Sequence, residues 1–127
     1  MPLNALESAV LQKMLDGDHP VLRALRNQLG KLSVESRKYT GSGFFVSLLV
    51  ENGVPPVNIP RNHVRFGDVH ATIDGLAYGA GFILSIDHGY MRVLEGYSYE
   101  ESWPENVAHF SLKYINDDRQ AELSKFD

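Results

Sequence analysis

The residue types best suited to metal binding or acid–base chemistry lie in one short segment. It contains His63, Asp68, His70 and Asp74. Side chains alternate between faces along a strand, so Asp68, His70 and Asp74 are expected to share one face if the segment is extended. Imidazole and carboxylate groups bind zinc, but this spacing matches no recognised metal motif such as HExxH. A solvated row on a strand surface is the simpler explanation of the pattern, and we expect no resident metal and no cofactor.

A second group of residues, aromatic and acidic, has the chemistry of protein recognition. The candidate partner-binding side chains are Asp87, Glu95, Tyr97, Tyr99, Glu100, Glu101, Trp103 and Glu105. In protein interfaces, aromatic rings bury large areas and carboxylates steer basic partners. The alternative for Trp103 is that the indole only fills the end of the core.

Several other chemistries are disfavoured by the sequence. Cysteine is absent, which excludes disulfides and thiolate catalysis, and no GxSxG nucleophile elbow occurs. The glycines of 41–43 and 79–81 precede no Lys-Ser/Thr pair, so they indicate turns and bulges rather than a phosphate loop. A basic patch is possible near the second helix, but it lacks interleaved aromatic residues for RNA binding beyond Tyr39. We therefore assign no catalytic residue.

The elements that must position these groups change character along the chain. Apolar residues recur at helical spacing up to Met14, and Asp16–Asp18 interrupts them before a second helix that has Pro20 in its first turn. From Ser33 onward the periodicity is that of strands. This order predicts a single α+β domain in which a helical hairpin packs on one face of an antiparallel sheet of about five to six strands. The helices occupy about residues 3–30, the sheet about 33–115, and a polar tail 116–127.

The clearest strand pair is joined by the two-residue loop His88-Gly89, which requires positive φ. A regular register from this loop pairs Leu84 with Val93 and Phe82 with Glu95. Val93 then faces the core, Leu94 faces outward, and Glu95 continues the core-facing series. That makes Glu95 either a residue of the sheet rim or a partly buried carboxylate facing a cleft.

Charge is distributed unevenly. The chain carries a net charge of −4, which divides into +3 for residues 1–65 (eight basic, five acidic) and −7 for 66–127 (four basic, eleven acidic). The acidic half contains the aromatic residues, which disfavours nucleic acid as a partner and favours a basic protein. With no apolar run long enough for a membrane span and no signal-peptide pattern, we expect a soluble cytoplasmic protein.

Three segments together resemble a pattern found in small bacterial proteins of uncharacterised function. They are Gly79–Phe82, Leu94–Tyr97 and Trp103–Pro104, and the residues Thr40–Gly41 and Gly43–Phe45 extend the likeness. The resemblance implies no catalytic residues. Many small acidic bacterial proteins of this kind are immunity proteins, which neutralise a toxin by binding it, and the resemblance therefore suggests that class.

The sequence thus predicts a non-enzymatic domain, monomeric or homodimeric, that occludes a basic, toxin-like protein with its acidic and aromatic surface. The alternative is a small enzyme or ligand-binding domain that uses Asp68, His70 and Glu95 in a cleft between helices and sheet. A third possibility is self-association through an exposed edge strand.

Overall fold

Two antiparallel helices open the chain, as the periodicity predicts. In this computed structural model, which describes residues 1–127, α1 spans Ala5–Met14 and α2 spans Pro20–Leu29. Asn4 caps α1 by accepting from the Glu7 amide while the Glu7 carboxylate accepts from the Asn4 amide, so two helix-end donors are satisfied reciprocally. His19 caps α2 by accepting the amide of Val21.

The rest of the chain forms one antiparallel sheet. Its seven strands are β1 Leu32–Tyr39, β2 Gly43–Val50, β3 His63–Phe66, β4 Val69–Ile73, β5 Ala80–Asp87, β6 Tyr90–Ser98 and β7 Phe110–Tyr114. Their spatial order is β1-β2-β6-β5-β4-β7, and β3 also pairs with β5. Both long helices lie on one face of the sheet, which confirms the predicted α+β class.

The strand count exceeds the expected five to six because one predicted strand is interrupted. β3 and β4 pair with successive parts of β5, and Gly67 and Asp68 separate them. A side chain at Gly67 would collide with the main-chain oxygen of Phe82. The backbone at Gly67 therefore lies close to the backbone of β5, and the regular pairing with β5 is interrupted between β3 and β4.

The β5–β6 hairpin turns as predicted but does not keep the predicted register. His88 and Gly89 have φ of 49° and 82°. Three residues after Gly89, Arg92 is bulged, so that Ile86 pairs with Met91 while Ser85 pairs with Val93.

The bulge reverses the expected facing of the rest of β6. Leu84 pairs with Leu94 and not with Val93, and Phe82 pairs with Gly96 and not with Glu95. Leu94 is therefore fully buried in the core, contrary to the expectation that it faces outward. An extra residue in one strand moves every later side chain of that strand to the opposite face of the sheet.

The second face of the sheet has no helix over it, and we call it the open face. Glu95 lies there beside Ile83, so it does not continue the core-facing series. Phe45 and Leu49, on β2, project from the same face and are 41% and 45% exposed.

The C-terminal segment folds back as a short helix α3, Gln120–Leu123, followed by a 3-10 turn, Ser124–Phe126. Phe126 is buried, and its ring centroid lies 5.0 Å from that of Phe66. Arg119 anchors the start of this segment by donating to the carboxylate of Asp68 and to the carbonyl of Met14.

Candidate functional site

Asp68 and His70, the centre of the predicted metal or acid–base row, are separated by the fold. Asp68 is 3% exposed and forms an ion pair with Arg119 on the helix side. His70 lies on the open face, with its ring 6.4 Å from that of Tyr99. The expectation that Asp68 and His70 share a face is wrong, because Asp68 occupies the break before β4 and not a strand position.

The remaining members of that row are also dispersed. His63 pairs with Asp87, with 2.7 Å between Nδ1 and Oδ1, and Asp74 is an exposed residue whose amide donates to the carbonyl of His109. Nowhere do three histidine or carboxylate side chains converge as metal ligands. The structure does not bring Asp68, His70 and Glu95 together in a cleft between helices and sheet.

Most of the predicted partner-binding residues lie in the connection between β6 and β7, residues 99–109, which we call the crossover loop. β7 pairs with β4, so the chain must cross the ends of β5 and β4 after Ser98. β6 and β7 are three strand spacings apart in the sheet, a distance of about 14 Å. The loop is far longer than that span and folds compactly over the end of the sheet.

Hydrogen bonds hold the crossover loop to its neighbours on both sides. The amide of Trp103 donates to the carbonyl of Gly41 in the β1–β2 turn, at 2.7 Å. The carboxylate of Glu101 accepts from the amides of Ala77 and Tyr78 in the β4–β5 loop, at 2.9 and 3.1 Å. Three separate connections thereby form one surface.

That surface displays rings and acids together. Tyr39, Tyr78 and Tyr99 are 62%, 71% and 45% exposed, and Trp103 is half-buried. We call this surface the aromatic–acidic end and define it as Tyr39, Tyr78, Tyr99, Glu100, Trp103 and Glu105. Tyr99 and Trp103 are four residues apart and so lie within about 14 Å of each other. Hydrogen bonds from the crossover loop to Gly41 and Tyr78 bring the turn after Tyr39 and the loop of Tyr78 next to these two residues.

On the helix side, the aromatic–acidic end contains a groove. Trp103 packs edge-to-face on the buried ring of Phe44, with centroids 5.3 Å apart. Beside it is a cavity of about 230 Å³, lined by Asn4 and Glu7 of the α1 start and by Tyr39, Phe44, Trp103, Pro104 and Glu105 among others. Both oxygens of the Glu7 carboxylate are bound to Arg37, at 2.7 Å each, so this pair adds no net charge to the groove.

On the open face, the rings of Tyr97 and His70 border the aromatic–acidic end, and Lys113 pairs with His70 across the strands. The Tyr97 ring lies over Gly81, where a side chain would collide with it. Partial burial raises the pKa of Tyr97, and the nearby Tyr99 and Glu95 raise it further. Burial lowers the pKa of His70, and the positive charge of Lys113 lowers it further. Tyr97 is therefore protonated and His70 is neutral at pH 7.

The carboxylates of the predicted site have different roles. Residues 93–112 contain four glutamates and no lysine or arginine. Glu95 forms an ion pair with Arg65 at 3.2 Å, and Glu101 is bound to backbone amides. Glu100 and Glu105 are exposed and form no ion pair, so they are the acids available to a partner.

Asp87 does not join the other predicted residues. It ends β5 at the opposite end of the sheet from Ala80, which places it about 24 Å from the aromatic–acidic end. Two residues of the site, Tyr39 and Tyr78, are not among the predicted partner-binding residues. Each stands shortly before a glycine with positive φ, Gly41 or Gly79, so a nearby turn is the one local signal that the sequence offers for them.

No family model, no curated protein and no solved structure matches this chain. None of its helices combines the length and the apolar character needed to cross a membrane.

Proposed function

We propose that this chain is a non-enzymatic protein-binding domain that holds a basic protein against its aromatic–acidic end. In its most specific form the proposal is an immunity-type inhibitor that occludes the active site of a basic toxin. The observation that carries it is the joint exposure of three tyrosines and two unpaired carboxylates at one end of the sheet, where hydrogen bonds pin the crossover loop.

Exposed rings on a fixed frame favour binding. Tyrosine and tryptophan supply large contact areas, lose little side-chain entropy on binding, and are enriched among residues that dominate interface energies. The hydrogen bonds of the Trp103 amide and the Glu101 carboxylate fix the loop before any partner arrives, which lowers the ordering cost of association.

Electrostatics supports a basic partner. Glu100 and Glu105 face solvent with no cation bound to them, and Lys38 projects on the other side of β1 from Tyr39. An acidic rim around apolar rings accelerates encounter with a positively charged surface, and salt weakens that attraction. Inhibition then follows from occlusion and requires no chemistry from this chain.

Affinity capture with three matched proteins tests the proposal. The first is the native chain. The second carries Tyr39→Ala, Tyr78→Ala, Glu100→Gln and Glu105→Gln in the aromatic–acidic end. The control carries Leu49→Ala, Ile115→Ala, Glu51→Gln and Asp117→Asn, which are exposed positions outside the aromatic–acidic end.

We expect the native chain and the control to capture one stoichiometric basic protein that the second protein fails to capture. Its association rate should fall at least about tenfold between 50 and 500 mM salt, and its own activity should be blocked at a 1:1 ratio. Equal capture by all three chains, or an association rate that ignores salt, would refute the proposal.

A further inference from the structure

We propose that the groove of the aromatic–acidic end receives an arginine side chain of the partner, stacked on Tyr39 and Trp103 and paired with Glu105. This inference rests on the proposed function and adds the chemistry by which the partner is recognised.

The shape of the groove suits a long, flat side chain. The cavity of about 230 Å³ holds about eight waters at about 30 Å³ each, which is ample for an arginine side chain. It is continuous with a second depression that reaches Gly41, since both are lined by Tyr39, Trp103, Pro104 and Glu105. A partner chain can therefore lie along the depression while one side chain enters the cavity.

The lining is selective for a delocalised cation. Tyr39 and Trp103 line the groove with aromatic side chains, and a guanidinium group stacks on an aromatic ring more readily than an ammonium group does. Glu105 supplies a carboxylate with no cation of its own, and its two oxygens match the planar fork of arginine. Glu7, the other carboxylate of the lining, is already neutralised by Arg37.

The indole has an unused hydrogen-bond donor. The only hydrogen bond of Trp103 within the chain is donated by its main-chain amide to Gly41. Its ring N–H is not a buried unsatisfied group, so it reaches solvent. A carbonyl oxygen of the partner backbone, beside the inserted arginine, can accept a hydrogen bond from this indole N–H.

Trp103 is the only tryptophan of the chain, so its indole N–H resonance reports on this groove alone. The probe is the capped tripeptide Gly-Arg-Gly, which is titrated into the protein while nuclear magnetic resonance follows the indole signal. This method measures dissociation constants in the expected range of about 1 mM or weaker. The matched probe is Gly-citrulline-Gly, which keeps the shape of arginine without its charge.

We expect the arginine peptide to shift the indole resonance to saturation and the citrulline peptide to bind at least about fivefold more weakly. Tyr39→Ala and Glu105→Gln should each weaken the arginine peptide about three- to fivefold. Tyr39→Phe, which keeps the ring, should restore the binding that Tyr39→Ala loses. Asp117→Asn, an exposed carboxylate outside the aromatic–acidic end, should leave the affinity unchanged.

Equal binding of the two peptides, or equal effects of Asp117→Asn and Glu105→Gln, would overturn the inference. If the basic partner is still captured and depends on Tyr78 and Glu100 but not on Tyr39 and Glu105, the inference fails and the proposed function stands. If no partner is captured, the proposed function fails whatever the peptides do.

Discussion

Replacing Glu101 with glutamine should loosen the surface that presents the aromatic–acidic end. Its carboxylate accepts the amides of Ala77 and Tyr78 from a loop 23 and 24 residues away in the chain. Glutamine keeps one acceptor oxygen and places an NH₂ group against the second amide. At least one charge-assisted bond is lost and a donor faces a donor.

The size of the stability loss depends on how exposed these hydrogen bonds are to water. A hydrogen bond to a charged group contributes about 1.5–3 kcal/mol when shielded. Water reaches both Glu101 bonds, so we expect Glu101→Gln to lower the free energy of unfolding by about 1 kcal/mol. In a domain of this size that lowers Tm by about 4 °C.

Glu100→Gln is the matched control, because it removes the same charge one residue away and its side chain forms no ion pair. It should change the free energy of unfolding by less than about 0.5 kcal/mol. Thermal unfolding compares the two variants, and hydrogen exchange at the amides of Ala77 and Tyr78 locates the effect. Equal melting temperatures, with both amides still protected in Glu101→Gln, would show that the carboxylate does not hold the loop.

Three further substitutions test other parts of the structure. Gly96→Ala should cost about 1–3 kcal/mol in urea unfolding, because the buried Phe44 ring occupies the space of the new methyl group; an unchanged midpoint would contradict this packing. Asp68→Asn should cost about 3 kcal/mol, because it leaves the buried guanidinium of Arg119 without its anion; a loss below 1 kcal/mol would argue against a buried pair. Since burial lowers the pKa of His70, the unfolded chain binds more protons between that lowered pKa and 6.5. The free energy of unfolding should therefore rise with pH through this window, and His70→Gln should flatten the rise. If urea unfolding at pH 5–8 gave the same pH dependence for the native chain and for His70→Gln, His70 would not be its source.

Much of the fold is encoded in local patterns that can be read from the sequence. Helical spacing up to Met14, the break at Asp16–Asp18 and the glycine of the His88-Gly89 turn give the right elements in the right order. The β6 bulge is different. Val93 and Leu94 are both apolar, so alternation alone allows either to face the core. Packing across the whole sheet decides between them, and a local pattern contains no such information.

The candidate site was only partly predictable for a similar reason. Tyr99, Glu100 and Trp103 are close in sequence and therefore stay close in space. Tyr39 and Tyr78 join them only because antiparallel pairing brings three connections to one end of the sheet. The separation of Asp68 from His70 depends on a backbone collision at Gly67 that residue types do not reveal.

Trp103 and Val107 of the crossover loop pack against the core, and the outward residues of the loop contribute little to the interior. The loop is fastened at Gly41 and the β4–β5 loop, and its outward residues are supported by a sheet that does not depend on their identity. Recognition and scaffold are thus nearly independent modules in one chain. Exchanging the outward side chains of residues 99–109 is a route by which descendants of this protein could acquire new partners while folding unchanged.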